Sequence, residues 1–349
     1  MTNITIDKIE IGDNMTPQVI AEISGNHGGN IETAFKLIEA CAAAGLRFVK
    51  FQTYTPDTIT IDCNDSAFIV KNNLWKNESL YSLYKKAHTP FEWHKPLFEK
   101  ARALGLTPLS SPFDYTAVEL LESLDVSAYK IASCEIVDYS LLDCVAQTGK
   151  PVILSTGAAN IDEVEGALNR LTQKGSKNIC LLHCISAYPT PIAEANLGTI
   201  PFLMKRFGFP VGFSDHTIGI AAPIAAVALG ACVIEKHVYL AENGDTVDAG
   251  FSSTVVELGE INIRCREVFR AVRSIKTDAI PLEYESQRFK RSLFIVRDLM
   301  AGEMITPDHV RSIRPAGGLH TKHLGDVVGK IALRDLKSGT PFEWGMINE

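Results

Sequence analysis

A chain of 349 residues is too long for one ordinary hydrophobic core and suits a large barrel followed by a small module. With 46% hydrophobic and 21% charged residues it has the make-up of a folded globular protein, which excludes a disordered or fibrous chain. The formal net charge of -7 is modest and its signs are interspersed, so neither a nucleic-acid footprint nor the cationic runs of a membrane-surface protein is present.

The opening residues, MTNITIDKIEIGDN, have neither a basic nor an apolar signal-peptide region. No stretch approaches the roughly 18 uninterrupted apolar residues of a membrane span. Together these predict a cytoplasmic protein without membrane contact. Eight cysteines are scattered without a CxxC pair, most of them inside apolar segments, and are expected to be buried, reduced thiols.

In chain order, short β-rich runs alternate with helical patterns. The strands are expected at QVIAEIS (18–24), FVKFQT (48–53), LTPLSSP (106–112) and AYKIAS (128–133). They continue with PVILST (151–156), NICLLHC (178–184), VGFSDH (211–216) and VIEKHV (233–238). Intervening patterns such as IETAFKLIEACAAAG and NIDEVEGALNRLTQKG end in Gly, where a helix needs a left-handed residue after its last turn. Eight strands, each followed by a helix, predict an α/β fold, a closed (β/α)8 TIM barrel over residues 1–275. The stretch 54–89 is a long insertion after the second strand, of the kind that forms lids. A charged connector follows at 276–291. The last segment, 292–349, has short apolar runs punctuated by Gly and Pro and is expected to be a small, mostly β module.

In such barrels the active site lies at the C-terminal ends of the strands. Here nearly every expected strand ends in reactive polar groups: Glu22 with Asn26 and His27, Lys50 with Gln52, Ser110 with Ser111, Lys130 with Ser133 and Glu135, and Ser155 with Thr156. His183 with Ser186 and Tyr188, Ser214 with His216, and Glu235 with His237 complete the ring. Lys50/Gln52, Ser214/His216 and Glu235/His237 are spaced i, i+2, so each pair shares one strand face.

His216 and His237 fall on neighbouring strands, where two imidazoles can meet on one divalent ion. Mn2+ is the first candidate, with Co2+, Mg2+ or Zn2+ as alternatives. Asp248, after the last strand, suits an orienting neighbour or a substrate contact. Lys50 and Lys130 sit inside apolar strands beside Ser111, Ser133, Ser155 and Ser214, a set that suits a phosphate and a carboxylate. An imine-forming lysine would need only one of the two, so anion binding is the favoured reading.

The motifs EISGNHGG (22–29), VKFQ (49–52), YKIASCEI (129–136), LSTGAA (154–159), HCISAYPTP (183–191), GFSDHTIG (212–219) and IEKH (234–237) resemble the N-acetylneuraminate synthase family, in order and over nearly the whole chain. The tail resembles that family's antifreeze-like (SAF) module. AGFSS (249–253) and SIRPAGGLHTKHLGDVVGK (312–330) are similar to the pseudaminic branch, in which Ser at 186 replaces the Asn usual in neuraminate synthases.

The resemblance implies a metal-dependent condensation of phosphoenolpyruvate with an amino sugar. The expected sugar is the diacetamido-trideoxy hexose 2,4-diacetamido-2,4,6-trideoxy-L-altrose, with N-acetylmannosamine or the legionaminic precursor as alternatives. It implies His216 and His237 as metal ligands. Lys50, Ser111, Lys130, Ser133, Ser155, Ser186 and Ser214 would bind phosphoenolpyruvate. Glu22, Gln52, Glu135, Tyr188 and Asp248 would contact the sugar or move protons. Arg314 would enter the barrel of the other subunit of a homodimer with exchanged tails. The apolar insertion and the Phe251 region suit a 6-deoxy sugar.

Overall fold

The computed structural model describes residues 3–71 and 74–348. It divides into two compact units, Met1–Ser274 and Ile275–Glu349.

The first unit opens with a hairpin that sequence reasoning did not foresee, β1 (Ile4–Ile6) and β2 (Ile9–Ile11). Its two-residue turn places Asp7 at φ 45° and Lys8 at φ 65°, the left-handed pair of a type I′ turn. Eight parallel strands follow. They are β3 (Gln18–Glu22), β4 (Phe48–Thr53), β5 (Thr107–Pro112), β6 (Tyr129–Ile131), β7 (Val152–Ser155), β8 (Ile179–Cys184), β9 (Val211–Asp215) and β10 (Val233–Tyr239). Each pairs with the next, and β10 pairs with both β9 and β3, which closes the barrel.

The helices run in chain order. α1 (Ile31–Ala43) follows β3, and α2 (Pro56–Ile59) and α3 (Leu80–Ala87) belong to the insertion. α4 (Phe91–Ala103), α5 (Tyr115–Ser123), α6 (Tyr139–Gln147), α7 (Ile161–Gln173), α8 (Thr199–Phe207), α9 (Ala221–Ala228) and α10 (Val255–Val272) complete the ring. The expected terminators hold, with Gly45 at φ 73° and Gly175 at φ 104°. A two-residue strand, β11 (Ser253–Thr254), extends the pairing of β10.

Two apolar layers hold this unit together. One lies between the strands and the helices and contains residues such as Val49, Phe51, Leu97, Phe98, Leu181 and Phe213. The other fills the barrel axis: Ile20, Phe48, Leu109, Ala128, Ile153, Leu182 and Val233 pack against Ile4, Ile6, Ile9 and Ile11. The hairpin is therefore a plug at the N-terminal end of the barrel, tied down by Thr107 Oγ1 donating to Asp7 Oδ2 at 3.0 Å.

In the second unit β12 (Ser292–Ile295) and β13 (Val310–Ile313) form one antiparallel ladder, and the remaining pairing consists of isolated bridges such as Leu299 with Leu336. Its own core includes Leu293, Ile295, Val310, Leu336 and Phe342. The stretch 276–291 belongs to this unit rather than standing free as a connector: Ala316 N donates to Arg288 O at 2.9 Å and Arg291 Nη1 to Ser312 O at 3.0 Å.

Candidate active site

Side chains on a strand alternate between its faces, so the residue two positions beyond an axial residue also points to the axis. From the axial layer Ile20, Phe48, Leu109, Ala128, Ile153, Leu182 and Val233, two steps onward give Glu22, Lys50, Ser111, Lys130, Ser155, Cys184 and Glu235. Ser214, paired with Glu235 across β9 and β10, occupies the same level. All eight are buried. A charged layer thus lies directly on an apolar one.

Lys50 Nζ contacts Glu22 Oε2, donates to Ser111 Oγ at 3.1 Å and stands 3.7 Å from Glu235 Oε2. Lys130 Nζ stands 3.8 Å from Glu235 Oε1, and Ser214 Oγ donates to that oxygen at 3.0 Å. Glu235 was read only as a polar strand end; its i, i+2 relation to His237 was the available signal. It proves to be the shared counter-charge of both lysines. Burial alone would raise its carboxyl, but Lys130, Lys50 and Ser214 hold it down to about 2. Burial opposes the charge on Lys50, yet Glu22 and Glu235 keep that ammonium above the usual lysine range. Burial lowers Lys130, with Glu235 opposing. Burial likewise raises Glu22, against the pull of Lys50. At the mouth, burial pushes the Glu135 carboxyl up to about 7.

One level higher stand Gln52, His216 and His237. Gln52 Nε2 donates to Ser24 Oγ at 2.9 Å. The two imidazole centroids are 5.4 Å apart. His216 Nδ1 lies 3.0 Å from Ile185 O; a carbonyl only accepts, so Nδ1 carries the proton and Nε2 keeps its lone pair. His237 Nδ1 is buried without a hydrogen-bond partner and lies 3.6 Å from Asp248 Oδ2. Asp248 also accepts from Gly25 N at 3.3 Å. Burial would raise the Asp248 carboxyl, but His237, Ser24 and Gly25 hold it below the usual range.

A divalent ion fits this donor set. The pair of imidazoles, one with a free lone pair and one with an orphaned ring nitrogen, suits Mn2+, Co2+ or Zn2+ better than the oxygen-seeking Mg2+. Among the described residues no group of three or more His, Cys, Asp or Glu can hold an ion, so water or substrate would have to complete the shell.

Beside the imidazoles lies a cluster of serine hydroxyls packed around Gly157. Ser155 Oγ and Ser186 Oγ are buried without partners. Gly157 N donates to Ser133 Oγ at 3.1 Å, and a Cβ at Gly157 would collide with Ser186 Oγ and come within 2.7 Å of Ser133 Oγ. The open cavity above measures about 350 Å3. Its lining combines polar groups, Gln52, Ser133, Glu135, Ser186, His237 and Asp248, with aromatic and apolar ones, Tyr54, Trp75, Leu83, Tyr84, Phe113 and Phe251. Tyr188 also lines it, with its ring centroid 4.5 Å from that of His216. A larger groove of about 790 Å3 lies outside the barrel among Ala40, Val256 and Ile263, with no comparable ring of lysines, serines and imidazoles.

Five strand-end groups do not face this site: Asn26, whose Nδ2 donates to Val238 O at 2.9 Å, Thr156, whose Oγ1 donates to Leu182 O at 3.2 Å, and His183, Ser110 and His27. His183 stacks on Phe213 at 5.6 Å in the strand–helix layer and bonds Ala195 O at 2.8 Å. Ser110 bonds Thr53 Oγ1 at 2.6 Å, within a network that includes His94. His27 accepts from Gly29 N at 3.1 Å and packs edge-on against Trp93. Each occupies the opposite parity on its strand or lies beyond it. Arg314 belongs to the second unit, exposed just after β13. All eight cysteines are free, and five are buried; Cys134 is exposed on the cavity wall, contrary to the expectation of burial. Ser24, Tyr54, Trp75 and Cys184 were not anticipated, because none stands in a distinctive spacing.

Fold and strand-end layer together define a (β/α)8 barrel with a buried layer of charged and hydroxyl side chains at the C-terminal ends of its strands. Residues 37–277 match the NeuB family and residues 290–348 the SAF domain. The chain is 41% identical to the pseudaminic acid synthase of Helicobacter pylori, covering 93% of this chain and 96% of that protein. It is 39% identical to the pseudaminic acid synthase of Campylobacter jejuni, covering 94% and 95%. The crystal structure of the N-acetylneuraminic acid synthetase of Leptospira borgpetersenii in complex with citrate superposes with a TM-score of 0.72 at 32% identity, covering 82% of this chain and 95% of that one. The chain belongs to the NeuB family.

Proposed function

We propose that the barrel unit condenses phosphoenolpyruvate with the open-chain aldehyde of 2,4-diacetamido-2,4,6-trideoxy-L-altrose, releasing phosphate by C–O cleavage. The observation that carries the reading is the placement of two buried lysines and two unpartnered serine hydroxyls beside a pair of imidazoles. The full-length likeness to two pseudaminic acid synthases selects the sugar.

In this reading Lys50, Lys130, Ser111, Ser133, Ser155, Ser186 and Ser214 bind the phosphate and carboxylate of phosphoenolpyruvate. His216 and His237 hold the divalent ion, Mn2+ first, with Asp248 orienting His237. When bound, the ion supplies Lewis-acid polarisation of the aldehyde oxygen. Glu22, Gln52 and Tyr188 orient the sugar so that C3 of phosphoenolpyruvate meets its aldehyde carbon. As that bond forms, positive character develops at C2, and fixed carboxylates such as Glu22 and Glu135 stabilise it. Glu135, titrating near neutrality, accepts a proton from the water that adds at C2. The C2–O bond to phosphate then breaks, and the lysines retain the leaving anion.

Arg314 is assigned to the barrel mouth of a partner subunit in a homodimer with exchanged tails, and the reaction to the cytoplasm. No helix of the described residues is long and apolar enough to cross a membrane.

Phosphate release from phosphoenolpyruvate, measured against the diacetamido-trideoxy hexose, the legionaminic precursor and N-acetylmannosamine, is the deciding assay. Release should require the sugar, vanish with EDTA and return with Mn2+. Metal-independent turnover together with borohydride trapping of pyruvate on Lys130 or Lys50 would replace this reading by an imine-forming aldolase. Mixing Arg314→Ala with His237→Ala subunits should restore activity that neither has alone, if the tails are exchanged.

A further inference from the structure

Asp215 and Lys236 are charged, buried and unused by the condensation. Each stands between two residues of the site: Asp215 between Ser214 and His216, and Lys236 between Glu235 and His237. Alternation along the strands turns both away from the barrel axis, into the layer that holds Phe213, Ile234 and Val238. The register sets Lys236 opposite Asp215 in the last pair of the β9–β10 ladder. His216 and His237 therefore stand one residue beyond the end of that ladder, where it no longer sets their spacing.

The lysine takes over that task. Its Nζ donates to Asp215 Oδ2 at 2.6 Å and to Thr217 O at 2.6 Å. The other carboxylate oxygen, Asp215 Oδ1, accepts from Thr217 N at 2.8 Å. One ammonium thus grips both residues that flank His216, and the carboxylate closes the same three-residue bend. Because Lys236 adjoins His237 in the chain, this clamp holds one imidazole against the other. Stability does not account for it, since desolvating two ions offsets most of their attraction and an apolar pair of similar size would hold the layer as well. What an apolar pair lacks is direction. Three hydrogen bonds keep the bend in one geometry, and a metal site whose ligands come from two strands depends on that geometry.

We infer that the Asp215–Lys236 pair is a positioning device for the two imidazoles, setting the separation and orientation at which His216 and His237 take up a divalent ion. The inference rests on the reading of these imidazoles as a metal site.

The test is the double variant Asp215→Asn/Lys236→Met in the full-length protein. It removes both charges, keeps an acceptor for Thr217 N and takes away the bridge from β10. It should fold, with a far-ultraviolet circular dichroism spectrum like that of the wild type, and bind Mn2+ about 10- to 100-fold more weakly by electron paramagnetic resonance. At saturating Mn2+ its KM for phosphoenolpyruvate should change less than about twofold. A pair that served packing alone would leave the Mn2+ affinity of the folded variant unchanged, and that result overturns the inference. Should the double variant fail to fold, Asp215→Glu decides the matter: it keeps the charge, displaces the carboxylate by one methylene and should weaken Mn2+ binding by roughly tenfold. Unchanged affinity there also overturns the inference. Nitrogen-15 spectra of the histidine rings in metal-free protein separate the two readings. The Nδ1–H tautomer of His216, held by Ile185 O, should be fixed in the wild type and released in the double variant. A wild type that binds no Mn2+ but shows this release would overturn the metal reading and leave the positioning pair standing; a tautomer fixed in both would overturn the pair as well.

Discussion

The two levels of the barrel axis, one residue pair apart on the same strands, are physical opposites. The lower, from Ile20 to Val233, is apolar and closed by the isoleucines of the hairpin plug. The upper holds Glu22, Lys50, Lys130 and Glu235 out of water, with Glu235 Oε2 and Ser155 Oγ lacking hydrogen-bond partners. Hydrophobic burial stabilises the first, whereas desolvating charges makes the second costly. The difference teaches how the barrel divides its labour: the plugged level supplies apolar burial that offsets the cost of the charged level above it.

That division can be broken from either side. The largest effect is expected from His237→Ala, which should abolish Mn2+ binding measured by electron paramagnetic resonance and lower kcat/KM by at least about a thousandfold. Its melting temperature should change little, since His237 adds no apolar packing to the plugged level. Phe48→Ala, one level below the lysines, should do the reverse. It should cost about 3–5 kcal/mol of stability in denaturant titrations, while turnover per folded molecule stays near that of the wild type. If Phe48→Ala instead lost activity without stability, the two levels would not be separable.

Gly157→Ala should raise the KM for phosphoenolpyruvate by roughly 10- to 100-fold, because the added methyl enters the Ser133–Ser186 cradle, and should leave the KM of the sugar nearly unchanged. The smallest expected effect concerns pH. The Glu135 carboxyl is raised to about 7, so it is protonated below that and becomes a base above it. kcat should therefore rise with pH through about 7, and Glu135→Gln should erase that limb. The sign for Glu235 is opposite. Its pKa is depressed to about 2, so its contribution to stability is present above the ordinary carboxylate range and is lost only as pH falls through about 2. An acid-denaturation curve of Glu235→Gln that lacks this final loss would sharpen the contrast.

Much of this molecule was legible before any coordinates. Strand positions such as Phe48–Thr53 coincide with the expected run, because β-branched and aromatic residues bounded by turn formers leave little choice. The pairs Lys50/Gln52 and Glu235/His237 share a face because strand side chains alternate, a fact of local geometry. The helix ends at Gly45 and Gly175 followed from the need for a left-handed residue.

Other features depend on which residues meet across the chain. Ser110 and Ser111 look alike in sequence, and only the register of β4 against β5 sends one to Thr53 and the other to Lys50. His183 reads as a member of the polar ring until β8 pairs with β9 and lays it on Phe213. Glu235 becomes the counter-ion of lysines more than a hundred residues away because barrel closure brings β10 to the same axis as β4 and β6. Local periodicity determines which residues share a face of one strand; only closure and register decide which face looks inward and which charges then lie within reach of one another.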